Sequence, residues 1–166
     1  MAITQSWLDN GGLFQVYGTD QATTETGGEY RNNGLEREIE LKINLADLTE
    51  TESVIYDNIF MPAGVRISEV KVKTVTAAAT GVAIDLGLVR TDRATPIDYD
   101  GILQAFPTAS MDAAGETQVY TVPAAASGGA LVGTTTANVG HFTCSRTTTT
   151  AFTAGQIIVT VKYFRP

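Results

Sequence analysis

The sequence predicts an all-β domain: an antiparallel β-sandwich of the jelly-roll type, preceded by an irregular N-terminal arm. Two observations predict this class. The stretch 36–45 alternates between apolar and polar residues, which is the pattern of a strand with one buried face. Short runs of apolar and β-branched residues recur along the rest of the chain between Gly, Pro, Asp and Thr clusters, with no long helical pattern.

Residues 1–35 are predicted to be the arm and residues 36–166 the sandwich domain. In the arm neither the strand period of about 2 nor the helical period of about 3.6 is sustained, so we expect at most one short strand, over 13–17. The arm nevertheless carries large apolar residues among its glycines. They either pack on the chain's own sandwich or anchor it to a partner surface. They include Trp7, Leu8, Phe14 and Tyr17.

The sandwich domain is predicted to begin with the alternating strand 36–45. Its polar face, with Glu36, Glu38 and Glu40, is either a solvated surface or an interface for a basic partner. Two later strands, 65–75 and 156–164, each follow a small-residue turn, Pro62-Ala63-Gly64 and Thr153-Ala154-Gly155. The last strand runs almost to Pro166, so we expect no C-terminal tail. Further strands are predicted at 53–60, 82–90, 117–122 and 138–146, one or two helical turns at 100–106, a loop at 124–133, and a loop or strand edge at 147–150.

Length and charge exclude several classes of protein. The 166 residues suit one domain, and only 17% are charged, against about 25% in typical soluble domains. The net charge is −7 and the pI about 4.6, without the basic stripe that nucleic-acid binding requires. Acidity also argues against docking on an anionic membrane, and no apolar run approaches the ~20 residues of a membrane span.

The N-terminus lacks the basic start and apolar core of a secretory signal. Cys144 is the single cysteine, so no disulfide can form within the chain. We therefore expect synthesis and folding in a reducing cytoplasm, with the fold stabilised by packing and without a cofactor.

The sequence offers few candidates for catalysis. His141 is the single histidine, it falls in a predicted strand, and no nucleophile-elbow motif accompanies it. Cys144 is expected to be an inert core residue, and one Cys with one His cannot form a Cys/His zinc site within the chain. We therefore expect no catalytic residues.

Three aspartates, Asp92, Asp98 and Asp100, are concentrated in a short stretch. Closely spaced carboxylates suit calcium, but the rest of a calcium-binding loop, including its closing Glu, is missing. Asp and Gly also occur together simply because they form turns and caps. Sequence spacing does not exclude a carboxylate pair for glycoside cleavage, although nothing else supports that chemistry. We expect no metal site.

Several turns and strand segments within residues 50–166 form a recognisable pattern. They are Met61–Ile67, Val70–Val72, Thr76-Ala77, Asp85–Gly87, Asp98–Leu103, Ala113–Gly115, Ala154–Ile157, Val159, Val161 and Tyr163. This pattern resembles that of the head decoration, or cement, proteins of tailed phages. The resemblance implies a β-sandwich or jelly roll that forms a trimer or other small oligomer on the outer capsid surface and reinforces the shell. The partner implied is the major capsid protein.

The sequence thus predicts a non-enzymatic capsid decoration subunit, a homotrimer located on the virion surface, whose arm contacts the major capsid protein. Neither nucleic acid nor membrane is expected as a partner. A carbohydrate- or host-surface-binding module is one alternative, although the single Trp lies in the arm. The others are a different virion component, such as a head-fibre base or a tail component, and a hydrolase that uses Asp98 and Asp100.

Overall fold

Nine β-strands and two 3₁₀-helices make up the regular structure of the described residues, which in this computed structural model are 36–56, 58–121 and 127–166. The predicted arm, with its short strand, lies outside these ranges. No helix within them is long and apolar enough to span a membrane. The 3₁₀-helices are Leu45–Asp47 and Thr108–Ser110. The strands are β1 (Glu36–Asn44), β2 (Ser53–Val54), β3 (Phe60–Met61), β4 (Arg66–Thr80), β5 (Ala83–Arg90), β6 (Pro96–Pro107), β7 (Thr117–Tyr120), β8 (Gly140–Arg146) and β9 (Phe152–Phe164).

The strands form two sheets. The first has the order β1-β9-β4-β7, and the second has the order β2-β8-β5-β6, with β3 also paired to β8. Ser53 of β2 is opposite Cys144, and Phe60 of β3 is opposite His141. Because β5 occupies the other side of β8, β2 and β3 lie one after the other along the same edge. They count as one edge strand that is interrupted in the middle.

With β2 and β3 counted together, the eight strands pair in a nested pattern. The first pairs with the last (β1–β9), the second with the seventh (β2/β3–β8), the third with the sixth (β4–β7), and the fourth with the fifth (β5–β6). A long antiparallel ribbon folded over into two sheets has this pairing, and it is the topology of the jelly roll. The pairs made by β4, β5 and β8 are all antiparallel. The predicted fold class is confirmed.

The core lies between the sheets, within the compact unit Glu38–Pro166. Alternate residues of β1 and β9 point inward, as the pattern of 36–45 predicted for β1. Burying one such side chain stabilises the fold by about 1.5–3 kcal/mol. The first sheet contributes Leu41, Ile43, Val70, Val72, Ile157, Val159 and Val161, and the second contributes Ile84, Leu86, Leu88, Leu103, Phe106 and Phe142.

The longest pairing joins β4 to β9, from Arg66 opposite Phe164 to Thr80 opposite Phe152. The segment 153–155, predicted as a turn, therefore lies inside β9, and that prediction is wrong. The register shifts along this stretch. Gly155 has a φ of 130°, which a glycine adopts readily, and it accommodates the irregularity. The other predicted turn is present, with a φ of 71° at Gly64.

The segment 100–106 belongs to β6 and is not helical, which corrects the prediction. Ile102 and Leu103 are adjacent and both buried, and Phe106 follows at a helix-like spacing. Register shifts against β5 produce this pattern, because a bulge turns neighbouring side chains toward the same face. The predicted strand 53–60 forms only at its two ends, as β2 and β3.

Candidate functional site

The arm residues predicted to contact a partner, Trp7, Leu8, Phe14 and Tyr17, lie outside the described residues. The remaining candidates lie on β8, in the turn after β5, on β6 and on the outward face of the first sheet.

Strand β8 carries the single cysteine and the single histidine on opposite faces. Cys144 belongs to the core, and burial raises the pKa of its thiol to about 12, so a reactive thiolate does not form near neutral pH. The buried ring of His141 meets Phe60 edge-on at a centroid distance of 6.4 Å. Its Nδ1 has no hydrogen-bond partner, whereas a Ser-His-Asp relay needs a carboxylate there. Neither residue has the surroundings of a catalytic group.

Asp92 closes the turn between β5 and β6. Its Oδ1 accepts hydrogen bonds from the backbone N–H groups of Ala94, at 2.9 Å, and Thr95, at 2.8 Å, while its Oδ2 accepts from the Thr95 hydroxyl at 2.6 Å. These bonds, led by the one from the Thr95 side chain, lower the pKa of Asp92 to about 2. Its role is that of a turn residue.

Strand β6 bulges where it pairs with β5. Four of its residues, 99–102, stand opposite the single Gly87. A Cβ on Gly87 would overlap the carbonyl of Asp98. The neighbours of Gly87 in β5, Leu86 and Leu88, face the core. The β6 backbone therefore crosses β5 on the outward side of Gly87. Gly129 approaches the same segment equally closely from the loop before β8. We call residues 98–102 the β6 bulge.

Asp98 and Asp100 are two residues apart on the β6 bulge. Burial and then the neighbouring Asp100 raise the pKa of Asp98 to about 6. The pKa of Asp100 is lowered, mainly by its interaction with Asp98. Gln104 Nε2 donates a hydrogen bond to Asp100 Oδ2, at 2.6 Å. Opposite shifts of this kind are expected of two neighbouring carboxyl groups, because two like charges close together disfavour each other.

A third carboxylate, Asp85 of β5, supports the next irregularity of β6. Its Oδ1 accepts a hydrogen bond from the backbone N–H of Ala105 at 2.7 Å. Ala105 has a φ of 45°, in the left-handed region that residues with a Cβ rarely adopt. Burial raises the pKa of Asp85, and the hydrogen bond from Ala105 lowers it in part. This carboxylate stabilises an unfavourable backbone conformation.

The described carboxylates do not form the calcium site that closely spaced aspartates first suggest. Calcium takes about six to eight oxygen ligands. Among the described residues, no group of three or more His, Cys, Asp or Glu side chains is placed to hold a metal ion.

The outward face of the first sheet is charged. Glu69 Oε1 and Lys162 Nζ are 2.9 Å apart, a partly exposed ion pair of the kind that contributes less than about 1 kcal/mol. In the single chain this face is open to solvent. It agrees with both interpretations of the glutamates, a solvated surface and an interface for a basic partner. Its exposed members include Glu36, Glu38, Glu40, Lys71, Lys73 and Val119.

The β6 bulge and the roles of Asp85 and Gln104 are not predicted from the sequence. One signal could have found the bulge: Gly87 interrupts an apolar strand, and an isolated glycine in a strand marks a bulge or a close backbone approach. The contacts of Asp85 and Gln104 depend on the register between β5 and β6, which no local pattern encodes.

The solved structures that share this fold include chains of two phage capsids. A chain of the capsid of Ralstonia phage GP4 superposes with a TM-score of 0.53 at 13% sequence identity, covering 80% of this chain and 86% of that one. A chain of the acid-stable capsid of Helicobacter pylori bacteriophage KHP30 gives a TM-score of 0.50 at 10% identity, covering 78% and 87%. No protein-family model matches the sequence, and no curated protein matches it. The likeness is one of fold.

Proposed function

We propose that this chain is a non-enzymatic virion structural protein, a capsid decoration or cement subunit that binds the outer surface of the major capsid protein shell and stabilises it. One observation carries the proposal. The jelly roll is shared, over 80% and 78% of this chain, with chains from two phage capsids. The sequence resemblance to decoration proteins rests on turns and strand segments of the sequence and not on the superposition. It points to the same role.

A non-enzymatic role is supported by what the candidate side chains do. Cys144 is part of the core, Asp92 closes a turn, and Asp85 holds an unfavourable backbone. Each of these groups is used by the fold itself. Nothing in their contacts calls for a substrate.

In this proposal the sandwich, 36–166, forms a homotrimer, and the arm, 1–35, holds the subunit on the shell. The arm residues Trp7, Leu8, Phe14 and Tyr17 supply the contact. Burying each aromatic side chain would contribute about 1.5–3 kcal/mol, and three arms acting together would multiply the effect. The low charged fraction, 17%, suits a protein that is covered by neighbours.

Deleting residues 1–20 tests the arm. We expect the shortened chain to keep the circular dichroism and melting behaviour of the full chain but to lose binding to shells of the source virus assembled without this protein. Co-sedimentation measures binding. A finer variant changes Trp7, Phe14 and Tyr17 to Ala, and its matched control changes Thr23 and Thr24 of the same arm to Ala.

The arm assignment is wrong if the shortened chain binds as well as the full chain. Failure of the full chain itself to bind the shells would contradict the decoration role. A hit for the full chain on a glycan array, without shell binding, would support the carbohydrate-binding alternative. Density for the chain at a fibre or tail of the particle, and not over the shell, would support another virion component.

A further inference from the structure

Strand β1 presents negative charge on the outward face of the first sheet. Its residues Leu41 and Ile43 belong to the core, so Glu38 and Glu40 point to the opposite side of the sheet, and both are exposed. Lys42 follows on that side, as a positive charge near the end of the row. The outward side of β1 is therefore mainly acidic.

Strand β4 presents positive charge on the same face. Its residues Val70 and Val72 belong to the core, so Lys71 and Lys73 point outward, and both are exposed. No ion pair among the described residues includes either lysine, or either of the two glutamates of β1. The two rows of charge are thus available to a partner.

Strand β9 separates β1 from β4 and is nearly neutral on this side. Its outward residues Ile158 and Thr160 stand opposite the two lysines. Further along, the charge of Lys162 is matched by its ion pair with Glu69. Because neighbouring strands lie about 4.8 Å apart, the acidic and basic rows run roughly 10 Å from each other, on either side of a neutral centre.

The basic row also has exposed apolar neighbours. Val119 of β7 stands opposite Lys71 and is 50% exposed, and Val75, two residues beyond Lys73, is 39% exposed. Apolar side chains beside charged ones give a face the dry contact and the polar rim of a protein–protein interface.

A second copy of the chain fits this charge pattern. A two-fold axis that runs parallel to β9, in front of the sheet, places β1 of each copy over β4 of the other. Each acidic row then faces a basic row, and the two neutral β9 strands face each other at the centre. We propose that the outward face of the first sheet pairs with the same face of a second copy, through Glu38 and Glu40 against Lys71 and Lys73.

This pairing goes beyond the decoration role and does not rest on it. A two-fold contact joins subunits two at a time, so it is separate from the contact of the proposed trimer and would link one assembly to another. Three strands of about nine residues cover about 14 by 30 Å, so a pair would bury roughly 800 Å² in total. A standard interface buries about 1,600 Å², so we expect weak pairing that requires a high protein concentration.

Charge reversal with complementation tests the pairing. In sedimentation equilibrium the mass found at low protein concentration should double at high concentration, and less so when salt is raised from 0.1 M to 1 M, which shortens the Debye length from about 10 Å to about 3 Å. Changing Lys71 and Lys73 to Glu, or Glu38 and Glu40 to Lys, should weaken pairing at least about tenfold, because like charges then face each other. An equimolar mixture of the two variants should restore pairing, because opposite charges face each other again.

The chain that carries all four changes is the matched control. It keeps the net charge of the wild type and exchanges the two rows, so it should pair as the wild type does. Glu52→Lys changes an exposed charge next to β2 of the second sheet and should leave pairing unchanged. Circular dichroism checks that each variant is folded.

A wild-type mass that does not rise with concentration would overturn the proposal. Charge-reversed variants that pair as strongly as the wild type would do the same, and so would a mixture that fails to restore pairing. If the variants lose binding to capsid shells while their self-association is unchanged, the face binds the capsid protein and the proposal is wrong. The trimer is measured at low concentration, so the two proposals can fail separately.

Discussion

At the scale of single residues, Gly87 determines how β6 can cross β5. A Cβ at this position would overlap the Asp98 carbonyl and the Tyr99 backbone, neither of which can move without shifting the β6 bulge. The requirement is one of space, since the backbone itself does not have a left-handed φ here. Any side chain at this position would displace the neighbouring strand.

Gly87→Ala is therefore expected to destabilise the protein by about 3 kcal/mol. Urea denaturation measures the loss. Gly64→Ala is the control, since a Cβ there meets nothing within 4 Å and the cost is only that of a φ of 71°, about 1–2 kcal/mol. Equal losses in the two variants would contradict the steric account.

Residue roles could be predicted where they depend on residue type alone. Cys144 was expected in the core because a lone cysteine beside Phe142 behaves as a small apolar residue, and it lies there. The spacing of Asp98 and Asp100 is visible in the sequence. Their place on a bulge depends on the register between β5 and β6 and could not be inferred from it.

At the scale of elements, β9 joins β1 to β4 within the first sheet. A strand with a neighbour on each side uses its backbone N–H groups on both sides. Thr160, near its middle, is opposite Lys71 and points outward, so its side chain contributes little to the core. Thr160 therefore stabilises the sheet mainly through its backbone hydrogen bonds.

Thr160→Pro is expected to cost about 3 kcal/mol or more, because it removes a backbone donor and introduces a ring into an interior strand. Thr160→Val keeps the branched Cβ and should change stability by less than about 0.5 kcal/mol. Thermal melts followed by circular dichroism compare the two. A tolerated proline would show that β9 is not an interior strand.

Elements could be predicted where one face is buried without interruption. β1 alternates cleanly, and the sequence identifies it. β6 does not alternate, because bulges place Ile102 and Leu103 on the same side, and its pattern imitates a short helix. The gap between β2 and β3 likewise depends on which residues pair with β8, and local composition does not predict that pairing.

At the scale of the whole molecule, sequence pattern predicts a sandwich but cannot give the strand order. The nested pairing brings together residues far apart in the chain, such as Ser53 with Cys144. Several strands have similar composition, so the local pattern does not show which strand lies beside which. The strand order depends on contacts between segments that are distant in the sequence.

Light scattering after size exclusion tests the proposed assembly. We expect a mass close to three times the 17.6 kDa of one chain, unchanged by 1 mM EDTA, because packing alone should hold the trimer. The chain without residues 1–20 serves as the control and should give the same number of subunits, since the sandwich is proposed to form the contact. A stable monomer for the full chain would contradict trimer formation away from the shell.

The nested pairing also governs how the chain can fold as it leaves the ribosome. Strand β4 lies between β7 and β9, and both are synthesised after it. At about 5–20 residues per second, its backbone edges wait for seconds before the last partner emerges. Exposed edges of a long strand invite pairing with other nascent chains. A holding chaperone that covers these edges during synthesis should therefore raise the yield of folded protein.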